Sequence, residues 1–143
     1  MQPANGPNES YAPDDPPFND IGGVEGVRAL IDAFYDAMDE NPAFERIRSL
    51  HPDDLTGSRD KLAKFITGWL GGPALYVKEF GHPRLRMRHM PFAIGELERD
   101  QWLACMKHAM DVRGIDGRLR AHLDARFAHV ADFMRNQAPS STS

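Results

Sequence analysis

The sequence predicts an all-α domain, and three observations carry that expectation. Apolar residues recur at helical spacing in four separate stretches, and glycine and proline punctuate the gaps between them. No stretch alternates apolar and polar residues between hairpin turn signals. The 143 residues suit one domain with one core. Residues 1–17, rich in Pro, Asn, Asp and Ser, read as a disordered arm, and residues 138–143 as a disordered tail. Residues 18–137 are left for the folded domain.

The first helix carries Val24, Val27, Ile31, Phe34 and Met38 on one face, with Gly22-Gly23 before it and Asn41-Pro42 after it. The second presents Leu62, Phe65, Ile66 and Trp69 and breaks at Gly71-Gly72-Pro73. Residues 73–80 have room for a turn or two of helix before Gly81. His82-Pro83 opens another short segment, since proline suits a first helical position, and it stops near His89 because Pro91 follows. A third long helix aligns Trp102, Cys105, Met106, Ala109 and Met110, and a fourth Leu119, Leu123, Phe127, Val130 and Met134. A plain bundle has no need of two glycine pairs and a proline-bracketed short segment. These features predict an open arrangement with an apolar slot able to house a flat cofactor.

The formal net charge of −4 argues against a general nucleic-acid binder, which needs a cationic surface. No apolar run approaches the roughly 20 residues of a membrane span. The N-terminus has neither the basic start nor the apolar stretch of a signal peptide, and the single Cys105 cannot staple the fold, so a cytoplasmic location is expected.

Histidines are the first candidates for chemistry, because iron, zinc and general bases all draw on them. His89 ends the short segment in Arg88-His89-Met90-Pro91-Phe92, and on those residues alone a structural role outweighs a metal role. His82, followed by proline, suits a turn. His108, His122 and His129 fall in amphipathic helices and read as partly exposed, while His51 either faces a pocket or caps the next segment. Cys105 and His108 share a helix face, but no second pair completes a zinc set. Cys105 sits among core positions and reads as structural. The glycine pairs lack the Lys-Ser/Thr ending of a phosphate loop. Arg84, Arg86 and Arg88 form either an anion site or a solvated face.

Taken together, several strings become specific: Gly22-Gly23, Ala33-Phe34-Tyr35, Leu50-His51-Pro52-Asp53-Asp54-Leu55, Trp69-Leu70-Gly71-Gly72-Pro73, the run from Gly81 to His89, Pro91-Phe92, and Glu98-Arg99-Asp100-Gln101-Trp102-Leu103. In this order they resemble the truncated haemoglobins, in the second, O-type group, over roughly Phe18 to Gln137. The resemblance implies a two-over-two helical sandwich enclosing haem b (iron protoporphyrin IX), with His89 as the metal ligand. It implies that Ser58, Lys61, Leu62 and Phe65 face the cofactor, with Leu62 and Phe65 lining the pocket and Phe92 contacting it. Lys61, Arg86 and Tyr76 become candidates for holding the propionates. Tyr35 and Trp102 become donors to the distal ligand, since O₂ gains negative charge on binding. Ser58 stands where other globins carry a distal histidine and leaves a more open route, while His51 adds a titratable donor.

The function so implied is binding of O₂, CO, NO or peroxide, coupled to oxidative or nitric-oxide detoxification. Several donors around one ligand would slow release, which fits storage poorly. A peroxidase or nitric-oxide dioxygenase proper is the nearest alternative and requires an external reductase; a haem-based sensor is weakened by the lack of an output domain. From a different class, the rival is a haem-free helical interaction module using the Arg84–Arg88 patch. No nucleic-acid or membrane partner is expected, and a homodimer is compatible with the resemblance.

Overall fold

The computed structural model describes residues 11–12, 14–82 and 94–134, and among these every regular element is helical. The elements are α1 (Pro17–Ile21), α2 (Gly23–Glu40), a 3₁₀ turn (Pro42–Phe44), α3 (Glu45–Arg48), α4 (Thr56–Trp69), α5 (Leu75–Phe80), α6 (Glu96–Val112) and α7 (Gly117–Phe133). The segment expected from His82 to His89 lies outside the described residues beyond His82 itself.

Helix α2 is the centre of the packing. It lies against α4 on one side and α6 on another, and α6 in turn packs on α7. Val27, Leu30, Ile31, Phe34 and Met38 are buried along it, at the spacing its sequence predicts. Val24, expected on the same face, is instead 50% exposed. Cys105, Met106, Ala109 and Met110 of α6 and Leu119, Leu123 and Phe127 of α7 close the core. Cys105 is fully buried, and its thiol donates to the Phe34 carbonyl at 3.2 Å. Burial pushes that thiol up to about 12, so it is inert as a nucleophile and structural, as the sequence suggests.

Helix α1 explains the glycine pairs. Gly22, at φ 102°, ends α1 in a left-handed conformation and turns the chain into α2. At Gly72 a Cβ would stand 2.6 Å from the Phe18 ring, so the pair after α4 leaves space for α1 to lie across it. The Phe18 N–H donates to the Leu70 carbonyl at 2.9 Å and fixes that crossing.

Tyr11 and Asp15, within the stretch 1–17 expected to be an arm, make contacts with the folded domain. The Tyr11 hydroxyl donates to Asp20 at 2.8 Å, and the Arg118 guanidinium lies 4.2 Å over its ring. Arg118 also pairs with Asp15 and Asp20. Tyr11 packs edge-on against His122 at 5.1 Å between ring centroids. His122, expected to be partly exposed, is 5% exposed, and among the described residues neither ring nitrogen has a hydrogen-bond partner. An aromatic side chain brought in from the arm covers it. His108 and His129 are exposed as expected. No described helix is long and apolar enough to cross a membrane.

Candidate functional site

A cavity of about 410 Å³ opens between α2 and α4 on one side and α6 and α7 on the other. That volume falls within the roughly 300–1,000 Å³ of small-molecule and cofactor sites. Helix α4 contributes Ser58, Lys61, Leu62, Phe65, Ile66 and Trp69 to its wall, a stripe at helical spacing that includes all four residues expected there. This explains why Leu62, Phe65 and Trp69 are only partly buried on a helix whose sequence reads as apolar. Phe127, Val130, Ala131 and Met134 form the opposite wall, so α7 fills the core with its first half and lines the cavity with its second.

The walls are aromatic. Phe65 and Trp69 stack, Trp69 leans on Phe127 at 5.1 Å, and Phe127 meets Trp102 edge-on at 5.6 Å. Tyr76 of α5 is buried and packs against Phe65 and Phe80. Lys61 lies on the exposed side of this wall, its Nζ 5.5 Å from the Phe80 ring centroid.

Polar groups concentrate at one end, where Tyr35, Trp102 and His51 all line the cavity. Tyr35 is held by Phe34 beside it, by the His51 ring at 5.7 Å and by the Arg59 guanidinium at 5.9 Å. Arg59 is anchored on Asp32 and Asp36 of α2. Burial raises the Tyr35 phenol well above its ordinary value, against the opposing pull of Arg59, so it remains an O–H donor at any physiological pH. Trp102 is wedged between Phe34 at 5.3 Å and Phe127. Among the described residues neither the Tyr35 hydroxyl nor the Trp102 indole N–H has a hydrogen-bond partner, yet neither is sealed from the cavity. Two such donors in an apolar wall are what a polar or anionic ligand atom requires.

His51 sits on the loop after α3, and Arg48 clamps that loop by donating to the Pro52 and Asp53 carbonyls at 2.9 Å each. The His51 Nδ1 faces the Ile47 carbonyl at 2.8 Å. Glu98 also reaches the cavity; it accepts from the Gly95 N–H, which caps α6, and from Arg46, each at 2.8 Å.

The structure thus brings together Tyr35, His51, Ser58, Lys61, Leu62, Phe65, Tyr76 and Trp102 around one space. His89, Arg86 and Phe92 lie outside the described residues, as do Arg84 and Arg88. Among the described residues no cluster of three His, Cys, Asp or Glu side chains forms a metal site. Ile47, Glu98, Arg99 and the end of α7 also line the cavity without a local sequence signal for it, although Phe127, Val130 and Met134 share one helical face.

Comparison with known proteins agrees with this geometry. A family model described as bacterial-like globin matches residues 17–136. The group 2 truncated haemoglobin YjbI of Bacillus subtilis is 42% identical over 121 residues, covering 85% of this chain and 89% of that one. The group II 2-on-2 haemoglobin of Agrobacterium tumefaciens superposes with a TM-score of 0.82 at 44% identity, over 86% of this chain and 95% of that one. A truncated oxygen-avid haemoglobin from Bacillus subtilis matches at a TM-score of 0.77 and 42% identity, over 85% and 99% of the two chains.

Proposed function

The chain belongs to the bacterial-like globins, in their group II truncated branch, and we propose that its cavity holds haem b and binds O₂ and related small ligands under the control of Tyr35 and Trp102. The observation that carries this reading is the pair of unengaged donors, one phenol and one indole, at one end of an otherwise aromatic and aliphatic cavity. Haem fits the space chemically: Leu62, Phe65, Trp69 and Phe127 offer a flat apolar slot, and Lys61 stands at its exposed side. Within this reading His89 would supply a nitrogen to the iron, and Lys61, Tyr76 and Arg86 would hold the propionates. Bound haem would supply an iron site for a diatomic or peroxide ligand and its one-electron chemistry.

What the chain adds is selectivity. Tyr35 and Trp102 donate to a ligand atom that has gained negative charge and gain little from one that has not, so O₂ is favoured over CO. Ser58, which also lines the cavity, is small, which leaves ligand control to the two aromatic donors. An oxygen-avid relative is in keeping with a cavity built for O₂. Turnover of NO or peroxide would draw electrons from a separate reductase, in the cytoplasm on this reading.

The experiment that tests this reading is haem retention in His89→Ala, with His82→Ala as its control. His89→Ala should lose most of its haem on gel filtration while His82→Ala keeps it. Equal retention in the two would remove His89 from the iron.

A further inference from the structure

Two polar side chains, Thr67 and His122, are buried among the described residues. Thr67 donates to the Ala63 carbonyl at 2.8 Å and is satisfied within its own helix. His122 has no hydrogen-bond partner among the described residues at either ring nitrogen, and it does not line the ligand cavity. A neutral imidazole endures such a place at the cost of unmade hydrogen bonds. An imidazolium carries a charge and two N–H donors, and these require acceptors or water. The way to water is through its cover, the Tyr11 ring, which packs edge-on at 5.1 Å.

That cover is held from outside. The Tyr11 hydroxyl donates to Asp20, and Arg118 donates to Asp20 at 2.9 Å and to Asp15 at 3.0 Å, all of them exposed contacts. Water replaces such contacts at little net cost. Helix α1 is tied separately, through the Phe18 N–H to the Leu70 carbonyl. We infer that the segment leading into α1, anchored by Tyr11 and Asp15, is a proton-operated latch: protonated His122 turns out to water, Tyr11 leaves α7, and the helices stay folded. Opening bares His122 and frees Arg118 from Asp15. The chain thereby gains a response to acidification that does not pass through the ligand cavity.

The groups around His122 favour opening over a buried charge. On α7, Arg118 stands one turn before it and Arg126 one turn after, both cations. The arm brings Tyr11 and Asp15, and α1 brings Asp20, but both carboxylates are already engaged by Arg118. Asp14 of the arm is exposed. Helix α6 meets α7 through Arg120, paired with Asp111, and through Asp124, which shares a crevice with Lys107. Those two α7 positions lie two residues from His122, about 200° round the helix. Burial first and Arg126 second hold the closed ring below its ordinary 6.5. In the open form the ring meets water at about that ordinary value, so lowering the pH through it favours opening.

The test is chymotrypsin cleavage after Tyr11 in the full-length protein, whose rate follows the open population. Referring each rate to that of His122→Phe at the same pH removes the protease's own pH dependence. Between pH 7.5 and 5.5 the ratio of wild type to variant should rise by up to about 10-fold, as for one group of ordinary pKa that protonates only when open. Far-ultraviolet circular dichroism should be the same at both pH values. Proton NMR of wild type, reduced under CO, needs no variant; the His122 and Tyr11 ring signals should move together, with a midpoint below about pH 6.5. An unchanged cleavage ratio, Tyr11 signals that do not follow His122, or a loss of helix over the same range would overturn the inference.

Discussion

Replacing Trp102 with Phe separates a ligand donor from a wall of the cavity. Trp102 touches Phe34 and Phe127 at 5.3 and 5.6 Å between ring centroids, and a phenyl ring keeps most of both contacts. What is lost is the one N–H of the side chain, which has no partner among the described residues and therefore none to leave stranded. A hydrogen bond to an atom bearing charge contributes about 1.5–3 kcal/mol, so O₂ dissociation should accelerate roughly 10- to 150-fold. CO gains little charge on binding, and its dissociation should change far less. Tyr35→Phe should act in the same direction, and because the phenol stays protonated the wild-type O₂ rate should show no titration of Tyr35 up to alkaline pH. The assay is laser-flash or stopped-flow measurement of O₂ and CO dissociation in each protein. Equal acceleration for both ligands would refute the donor argument and leave Trp102 as packing alone.

Two further predictions concern the scaffold. Gly72→Ala should lower the unfolding midpoint in urea by an amount equivalent to about 1–3 kcal/mol, since a Cβ there meets the Phe18 ring at 2.6 Å and α1 must shift; an unchanged midpoint would show that α1 contributes nothing to stability. His122 is held below its ordinary 6.5, by burial first and by Arg126 second, so the folded state binds fewer protons than the unfolded one. Its contribution is complete above about pH 6.5 and is lost as pH falls below that value toward its folded pKa. Urea unfolding at pH 7.5 and 5.5 should show that acid loss in wild type and a smaller one both in His122→Phe and after deletion of residues 1–15, which uncovers the ring; an undiminished loss in both variants would place it elsewhere.

The long helices were legible because helical spacing is a local property, and α2, α4, α6 and α7 fall where their apolar stripes put them. Short elements were not. α1 fully buries no residue and the Pro42–Arg48 turns bury only Phe44 and Ile47, too few for a period, although Pro17 at a helix start with Gly22 at its end was a readable signal. The cavity was half legible. The stripe on α4 could be counted out from Ser58, but Glu98 and the end of α7 reach the same space only through the packing of distant segments. His122 was misplaced for the same reason: its cover, Tyr11, lies more than a hundred residues away in a stretch whose composition suggested no structure at all.

The central claim is that this cavity is a haem pocket, and the absorption spectrum of the reconstituted protein tests it most directly. Full-length protein incubated with haem, stripped of excess by gel filtration and reduced should show one Soret band per chain that shifts sharply when CO is added. The same spectrum should convert to a stable oxygenated form in air, as two donors at the ligand end require. Protein that elutes without a Soret band would contradict the account and favour a helical interaction module with no cofactor.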